Sequence, residues 1–570
     1  MSIERYQKWR DHKGRPFTPV SLDGLALISD RNLNKGTAFT KEEREEFHLK
    51  GLIPPQVSTL ENQKARVYEG YCSAPTDIDK YIYLRSLQDR NETLYYSLIE
   101  EHIEEMIPII YIPTVAEACL QFSHHYQRAR GLYITKDNVD DMQEMTHHFP
   151  SQSVQIIVVT DSQGILGIHD IGVGGMAVPI GKLALYTLGS GIHPSFCLPI
   201  ALDIGTDNEE LLRDPLYLGV EHKRIKGEEY EEFIRKFVTN VKLAFPRAVL
   251  QWEDFSKEHS FALLEKYRET IPSYNDDIQG TGALVMAGVI NSMKIKKENP
   301  VDQVYAVFGA GSGGVGFARQ LHVELMSGGL SSDDAYDKIF LIDSKGVALR
   351  NREGLEYWKK PFAKDPGLIS GWKLKGDNPV LIDVIENAKV TVLVGISGKA
   401  RAFTKEHVDS MMKFTDRPVI FPLTNPAEKS EATPKDLYQW SGGKAIVATG
   451  SFYPDLEYNG KKVQIGQASN AFIFPGVGLA VCISKIKIIT DEIFSTAAHA
   501  LAGCVSAKDL EDGIVYPQIK DIRKIGLRVA TDVLKTILQR NPDIGFKLDE
   551  LHEVVHSRVW KPLYQPYRRV

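Results

Sequence analysis

Cysteine is scarce and never closely spaced. The chain has five, Cys72, Cys119, Cys197, Cys482 and Cys504, with no CxxC pair. That excludes a disulfide framework and zinc-type spacing, and it suits a reducing compartment. Long apolar runs are missing too. No stretch of about 18 uncharged apolar residues occurs, so a membrane-spanning helix is not expected. The opening MSIERYQKWRDHKGRPF lacks the apolar centre of a signal peptide. Nor is there an excess of one charge. The net charge is −6, with both signs dispersed, which gives no reason to expect nucleic acid or an anionic membrane as partner. There is no GxSxG motif, no internal repeat and no low-complexity segment. The expectation is a cytoplasmic protein without nucleic-acid or membrane partners.

What is present is a globular composition, 43% hydrophobic and 25% charged over 570 residues. That length implies roughly two to four domains. Residues 1–30 read as a surface arm. Thr40 followed by Glu43 has the spacing of a capping box opening a helix. From Leu60 to Ala118 apolar residues recur at three- and four-residue steps, which predicts helices. At Gly131 the character changes. GLYIT (131–135), VQIIVVTD (154–161), CLPIALDIG (197–205) and RAVLQWED (247–254) are short β-branched runs, and several close on an acid. Helical stretches at 179–191 and 228–245 separate them. Strand–helix alternation predicts a parallel sheet, with ligands at the carboxyl ends of its strands. The alternation resumes at 303 and continues through KIFLID (338–343), TVLVGIS (391–397), PVIFPLTNP (418–426) and AIVATGS (445–451). The basic, aromatic tail reads as a subunit contact or a surface arm.

The acids carry the first chemical signal. Glu253-Asp254 and Asp276-Asp277 close two apolar runs, with one helix-length segment between them. Carboxylates so placed suit a hard divalent cation such as Mg²⁺ or Mn²⁺. The second signal is Gly309-Ala310-Gly311-Ser312-Gly313-Gly314, a GxGxxG turn that follows an apolar strand and opens a helix. Its glycines permit close approach to a pyrophosphate, which the helix N-terminus stabilises. Asp343 ends the next strand, where an acid accepts hydrogen bonds from the adenosine ribose and favours NAD over NADP. Ser344, Lys345, Lys359 and Lys360 follow it, and basic residues there would hold a 2′-phosphate. The residues alone leave both nucleotides open.

Two further positions stand out. Lys182 lies inside MAVPIGKLALYT, where the charged form loses solvation and the side chain becomes suited to general-base work. A snorkelling or salt-bridged lysine is the commoner outcome of such a position. Asp276 is a candidate to orient it. Tyr111, after an apolar run and before Ile112-Pro113, carries a phenol able to act as a general acid, although most buried tyrosines are core. His169 beside Asp170 does not form a facing pair in an extended segment.

At this point the chain resembles the malic enzyme family. The matching pieces are LNKGTAFT (33–40), IYIPTV (110–115), VVTDSQGILG (158–167), PIGKLALYT (179–187), EDF (253–255), NDDIQGTG (275–282), GAGSGG (309–314), TNP (424–426) and NAFIFPG (470–476). They fall in family order over nearly the whole chain. The resemblance implies oxidative decarboxylation of L-malate to pyruvate and CO₂, with NAD(P) and Mg²⁺ or Mn²⁺. The α/β fold it implies has a helical N-terminal domain (1–130), a split substrate and metal domain (131–278 plus 468–540), an inserted Rossmann-like NAD(P)-binding domain (279–467) and a tail (541–570). It implies a homodimer or homotetramer. Glu253, Asp254 and Asp277 resemble the metal ligands, Lys182 the general base with Asp276 its neighbour, and Tyr111 the acid that protonates the enol. Asn425 and Asn470 resemble amides on the substrate and nicotinamide side.

The chain departs from the family at several positions. Gly164 stands where many members carry an arginine that clamps a malate carboxylate. Malolactic enzymes, which form lactate with no net oxidation, also resemble the chain in this glycine, and they are the alternative reading. A silent nucleotide-binding oligomer is a remoter one. His169-Asp170 replaces Gly-Asp, and Ser469-Asn470 replaces paired asparagines. Arg66 and Arg90 match arginines that bind the activator fumarate in some animal relatives, but Ser58 replaces the accompanying glutamate. Weak or no fumarate activation is expected.

Overall fold

A computed structural model describes residues 9–10, 14–148, 153–165, 167–376 and 378–570. It divides into two compact units, Met1–Leu250 with His556–Val570, and Gln251–Val555.

The first unit begins with helices, and polar caps set their starts. The helices α1 (Leu60–Cys72), α2 (Asp77–Arg90) and α3 (Glu92–Glu101) open on Thr59, Thr76 and Asn91. Each cap side chain accepts a backbone N–H of the first turn, satisfying a donor that the helix itself leaves unpaired. The capping box at Thr40 and Glu43 also forms. Two short helices follow, α4 (Ile103–Ile110) and α5 (Thr114–Leu120).

The chain then turns to strands, β1 (Leu132–Thr135) and β2 (Ile156–Thr160), a helix α6 (Ala177–Ser190), and strand β3 (Cys197–Asp203). All are parallel, with β3 between β1 and β2. β2 and α6 are buried at every position, as a β-α-β crossover in a covered sheet requires. α6 ends on Gly191 in the left-handed region, the usual helix stop. Helix α7 (Glu228–Ala244) then leads to strand β4 (Val249–Trp252), along which the chain passes into the second unit.

The reading of residues 1–30 as a surface arm misses a strand. Pro16–Val20 pairs in parallel with the C-terminal strand Tyr567–Arg569, and Val20 and Tyr567 are buried. The aromatic tail is thus packed against its own unit. Of the two prolines in the N-terminal strand, Pro16 opens it, a position that a sheet tolerates.

The second unit holds helix α8 (Lys257–Tyr267), strand β5 (Ser273–Asn275), a π turn (Asp276–Gly280) and helix α9 (Thr281–Lys296). Its main sheet is built from β6 (Tyr305–Phe308), β7 (Ile339–Asp343), β8 (Gly346–Val347), β9 (Val392–Gly395), β10 (Val419–Pro422), β11 (Ile446–Thr449) and β12 (Gly466–Gln467). The order across it is β8-β7-β6-β9-β10-β11-β12, parallel except for β8. β6 comes first in sequence yet lies between β7 and β9. The strand order therefore reverses at its carboxyl end, where doubly wound sheets bind nucleotides. Helix α10 (Ser312–Ser327) follows β6 directly. Val384, Val408 and Leu437 from the crossover helices cover Leu393, Ile420 and Val447 of the sheet.

Candidate active site

The acidic stretch folds as strand, helix, strand. β4 ends at Trp252, α8 crosses, and β5 leads into the π turn. Fully buried Trp252 and Tyr274 anchor the two strand ends. In consequence Glu253, Asp254 and Asp277 converge, with one carboxylate oxygen from each within 4.8 Å of the others. Glu253 and Asp254 are buried and Asp277 is half-buried. Asp254 takes a left-handed φ of +54°, which a short polar side chain tolerates better than most. Its N–H donates to Asp277 Oδ2 at 2.9 Å. Gln251 donates from Nε2 to Glu253 Oε2 at 2.7 Å and is itself held by the Tyr274 hydroxyl at 2.9 Å. Three oriented carboxylates in this space fit a hard cation that prefers oxygen ligands.

Asp276 diverges from its neighbour. Its carboxylate folds back over the π turn, so that a Cβ at Gly280 would lie 1.9 Å from Asp276 Oδ1. Asn470 donates from Nδ2 to Asp276 Oδ2 and to Thr281 Oγ1, both at 3.0 Å. The family resemblance points Asn470 toward the ligands alone, and its link to Asp276 is visible only in the fold. Asn425 follows β10, and its Oδ1 accepts from Ser451 Oγ at 2.6 Å.

In the first unit Lys182 is 1% exposed on α6. Its Nζ lies 5.6 Å from the centre of the Tyr111 ring. Tyr111 caps the end of α4. Gly181 makes this approach possible, since a Cβ there would sit 2.8 Å from the Ile110 carbonyl oxygen and 3.2 Å from the Tyr111 ring. The lysine and the tyrosine are therefore neighbours. His169, at φ +68°, is not paired with Asp170. The Asp170 carboxylate instead accepts from Arg224, at 2.8 and 2.9 Å, and that ion pair holds it below the ordinary carboxylate range despite burial.

The glycine turn lies between β6 and α10. Gly309 has φ +119°, and a Cβ at Gly314 would lie 1.8 Å from the Gly309 carbonyl oxygen. Only glycine closes so tight a turn. Gly311 caps α10, and Ser312 and Gly313 begin it, so the first free N–H groups face the switch point.

Asp343, at the end of β7, is already engaged. Arg352 Nη1 donates to Oδ1 at 3.0 Å, Arg352 Nη2 to Oδ2, and Lys359 Nζ to Oδ2 at 2.8 Å. Burial works to raise its pKa, but these donors hold it below the ordinary range. The sequence pointed to Lys359 and missed Arg352, which the short antiparallel β8 brings back alongside. Glu431 was missed as well. It is fully buried and accepts from Ser397 N and Oγ, both at 2.7 Å, and from Thr424 Oγ1 at 2.6 Å. It thereby ties together the loops after β9 and β10. No local pattern marks it, whereas Gln251 shares a strand face with Glu253 by the two-residue period.

Residues 88–268 match the family model described as malic enzyme, N-terminal domain, and residues 278–538 the one described as malic enzyme, NAD binding domain. A protein of Bacillus subtilis (strain 168) named NAD-dependent malic enzyme 3 is 42% identical over 555 residues, 97% of this chain and 98% of that one. An NAD-dependent malic enzyme of Photorhabdus laumondii is 41% identical over 98% of this chain and 99% of its own. Among solved structures, the Entamoeba histolytica malic enzyme superposes with a TM-score of 0.55 at 20% identity, covering 90% of each chain. The Pyrococcus horikoshii malic enzyme gives 0.54 at 21%, covering 80% of this chain and 89% of that one. At that identity these two structures speak to the fold alone.

Proposed function

The chain belongs to the malic enzyme family, and on that premise we propose that it oxidatively decarboxylates L-malate to pyruvate and CO₂, with NAD preferred over NADP and Mg²⁺ or Mn²⁺ required. The observation that carries the reading is the convergence of Glu253, Asp254 and Asp277 within 4.8 Å, in a unit whose sheet reverses beside a GxGxxG turn. These three residues would hold the cation. Gly309, Gly311, Ser312, Gly313 and Gly314 would cradle the pyrophosphate, and Asp343 would face the adenosine ribose. When bound, the cation supplies Lewis-acid polarisation and the nicotinamide supplies the hydride acceptor.

The chain's own groups move the protons. Lys182 takes the proton of the carbon-2 hydroxyl as the hydride departs, and Tyr111 gives a proton to carbon 3 after CO₂ has left. Lys182 lends the proton it took to the enolate oxygen as CO₂ leaves, takes it back as Tyr111 protonates carbon 3 to give the ketone, and then restores it to the phenol. Tyr111 is a fitting acid because its ring packs against the same helix segment that carries the base. Asp276, Asn425 and Asn470 complete the proposed set as orienting groups for base, cofactor and substrate. On this reading the functional divisions are 1–130, 131–278 with 468–540, 279–467 and 541–570. The enzyme is a cytoplasmic homodimer or homotetramer. Among the described residues no helix is long and apolar enough to cross a membrane.

The test is malate oxidation followed by absorbance of reduced nicotinamide, with NAD and NADP in parallel and with pyruvate and lactate assayed at the end point. Pyruvate formed in step with NADH supports the reading. Lactate without accumulation of NADH overturns it in favour of malolactic chemistry, the outcome that Gly164 keeps in view. Lys182→Ala should lower kcat by roughly 10²–10⁴-fold, and near wild-type turnover would remove the general-base role.

A further inference from the structure

A pocket in the first unit, built only from residues 78–180, serves no step of the proposed reaction. Its volume is about 60 Å³, several times the ~10–15 Å³ that a single water needs. Arg85 and Asp89 of α2 line one side, Arg128 and Arg130 another, and Tyr81 and Tyr133 add aromatic wall.

The charges here do not balance. Asp89 accepts from Arg130 Nη1 at 3.1 Å and from Arg85 Nη2 at 3.3 Å. Arg130 also reaches Glu92, and Arg31 stands 3.8 Å from the same carboxylate. Three guanidinium groups, of Arg31, Arg85 and Arg130, thus face two carboxylates, Asp89 and Glu92, and Arg128 adds a fourth positive charge to the pocket wall. Arg128 is the least engaged, with Nη1 at 3.5 Å from the Asp89 carbonyl oxygen. The phenols are donors rather than anions. Burial pushes Tyr81 up to about 12 and Tyr133 higher still. A cavity that joins surplus guanidinium charge to protonated phenols is complementary to a compact, oxygen-rich dianion.

We propose that this pocket, between α2, β1 and the Arg128–Arg130 segment, binds a small phosphate-bearing anion. Phosphate is favoured over carboxylate because three guanidinium groups line the pocket, and a phosphate presents more oxygens and more negative charge to that many N–H donors than a carboxylate does. Asp89 does not oppose binding, since Arg85 and Arg130 already neutralise it. The floor includes Ile180, so an occupant would touch α6, the helix that carries Lys182.

The experiment is calorimetric titration of the full chain, saturated beforehand with NAD so that the glycine turn is filled, in the absence of divalent metal. The probes are inorganic phosphate, phenyl phosphate and succinate. Phosphate and phenyl phosphate should bind, the ester more tightly through the aromatic wall if the natural ligand is a phosphomonoester, and equally if it is the free ion. Arg128→Ala should weaken both at least tenfold, and Arg128→Lys should recover part of that loss. Arg128 forms no close ion pair, so folding should survive its replacement. Should Arg128→Ala fail to fold, Tyr133→Phe, which deletes one donor, should still weaken phosphate severalfold. Phosphate binding unchanged in the folded variants, no binding at all, or succinate binding as tightly as phosphate would each overturn the proposal. The readout does not depend on turnover, so its failure is separable from failure of the malate reaction.

Discussion

Two acidic sites in the second unit end on strands, yet they are opposite in design. At Glu253, Asp254 and Asp277, three carboxylates are drawn within 4.8 Å of one another. At Asp343, one carboxylate is met by the guanidinium of Arg352 and the ammonium of Lys359. Gathering like charges costs free energy that a divalent cation offsets, so the first arrangement is built for a ligand from outside. The second supplies its own counter-charges, so it needs no cation from outside, and it fixes a loop beside the proposed ribose position. Acids at strand ends therefore say little alone, and what the fold brings beside them decides their use.

Five substitutions would break or sharpen that contrast. The largest effect should come from Asp277→Asn, which removes one charge from the acidic trio. It should cost roughly 10²–10³-fold in kcat/KM, a loss of several kcal/mol in transition-state stabilisation, and it should abolish the rise in Tm on adding Mn²⁺. Arg352→Ala should leave that rise intact. If both variants respond to Mn²⁺ alike, the contrast is wrong. Gln251→Leu should act more mildly, since Gln251 only orients Glu253. Mn²⁺ affinity by titration should weaken by roughly 10–100-fold, and no weakening would mean that Glu253 is held without Gln251.

Lys359→Ala probes the second site. Removing one of the two cations at Asp343 should lower kcat/KM with NADP about tenfold relative to NAD, the scale of one charge-assisted hydrogen bond. An unchanged ratio would show that Lys359 serves only the loop. The smallest effect belongs to Asp343→Asn. The folded-state pKa of Asp343 lies below its unfolded value, so its contribution is present above about pH 4 and is lost as pH falls through the folded pKa. The variant should melt roughly 2–4 °C lower near neutrality, and the gap should close on acidification. A gap that widens with acid would reverse the sign and refute the assignment.

Much of this was legible in the sequence because the periods were clean. The runs at 154–161, 197–205 and 338–343 are short, β-branched and bounded by turn residues, and each became a strand. The helix between the acid pairs followed from its length, and the Ser256 side chain caps it. What escaped was decided by long-range pairing. Pro16–Val20 meets Tyr567–Arg569 from the far end of the chain, and no local pattern records such a partner. Arg352 reaches Asp343 only because β8 doubles back. Glu431 looks like any polar loop residue until the loops after β9 and β10 close over it. The four arginines about Asp89 and Glu92 come from separate segments, so their surplus charge is invisible in a chain whose total is slightly negative.

The π turn at Asp276–Gly280 carries a consequence for how this segment tolerates change in length. A π turn holds one residue more than an α turn, and here that extra residue sits between the two acids and the start of α9. Deleting a single residue from Ile278 to Gly280 would let the turn relax to α and swing the acids by about 100° about the helix axis. Asp277 would leave the trio and Asp276 would lose Asn470 together. A substitution here changes one contact, whereas a frame-preserving deletion of one codon would re-index both acids at once, so this short stretch should reject deletions far more strictly than replacements.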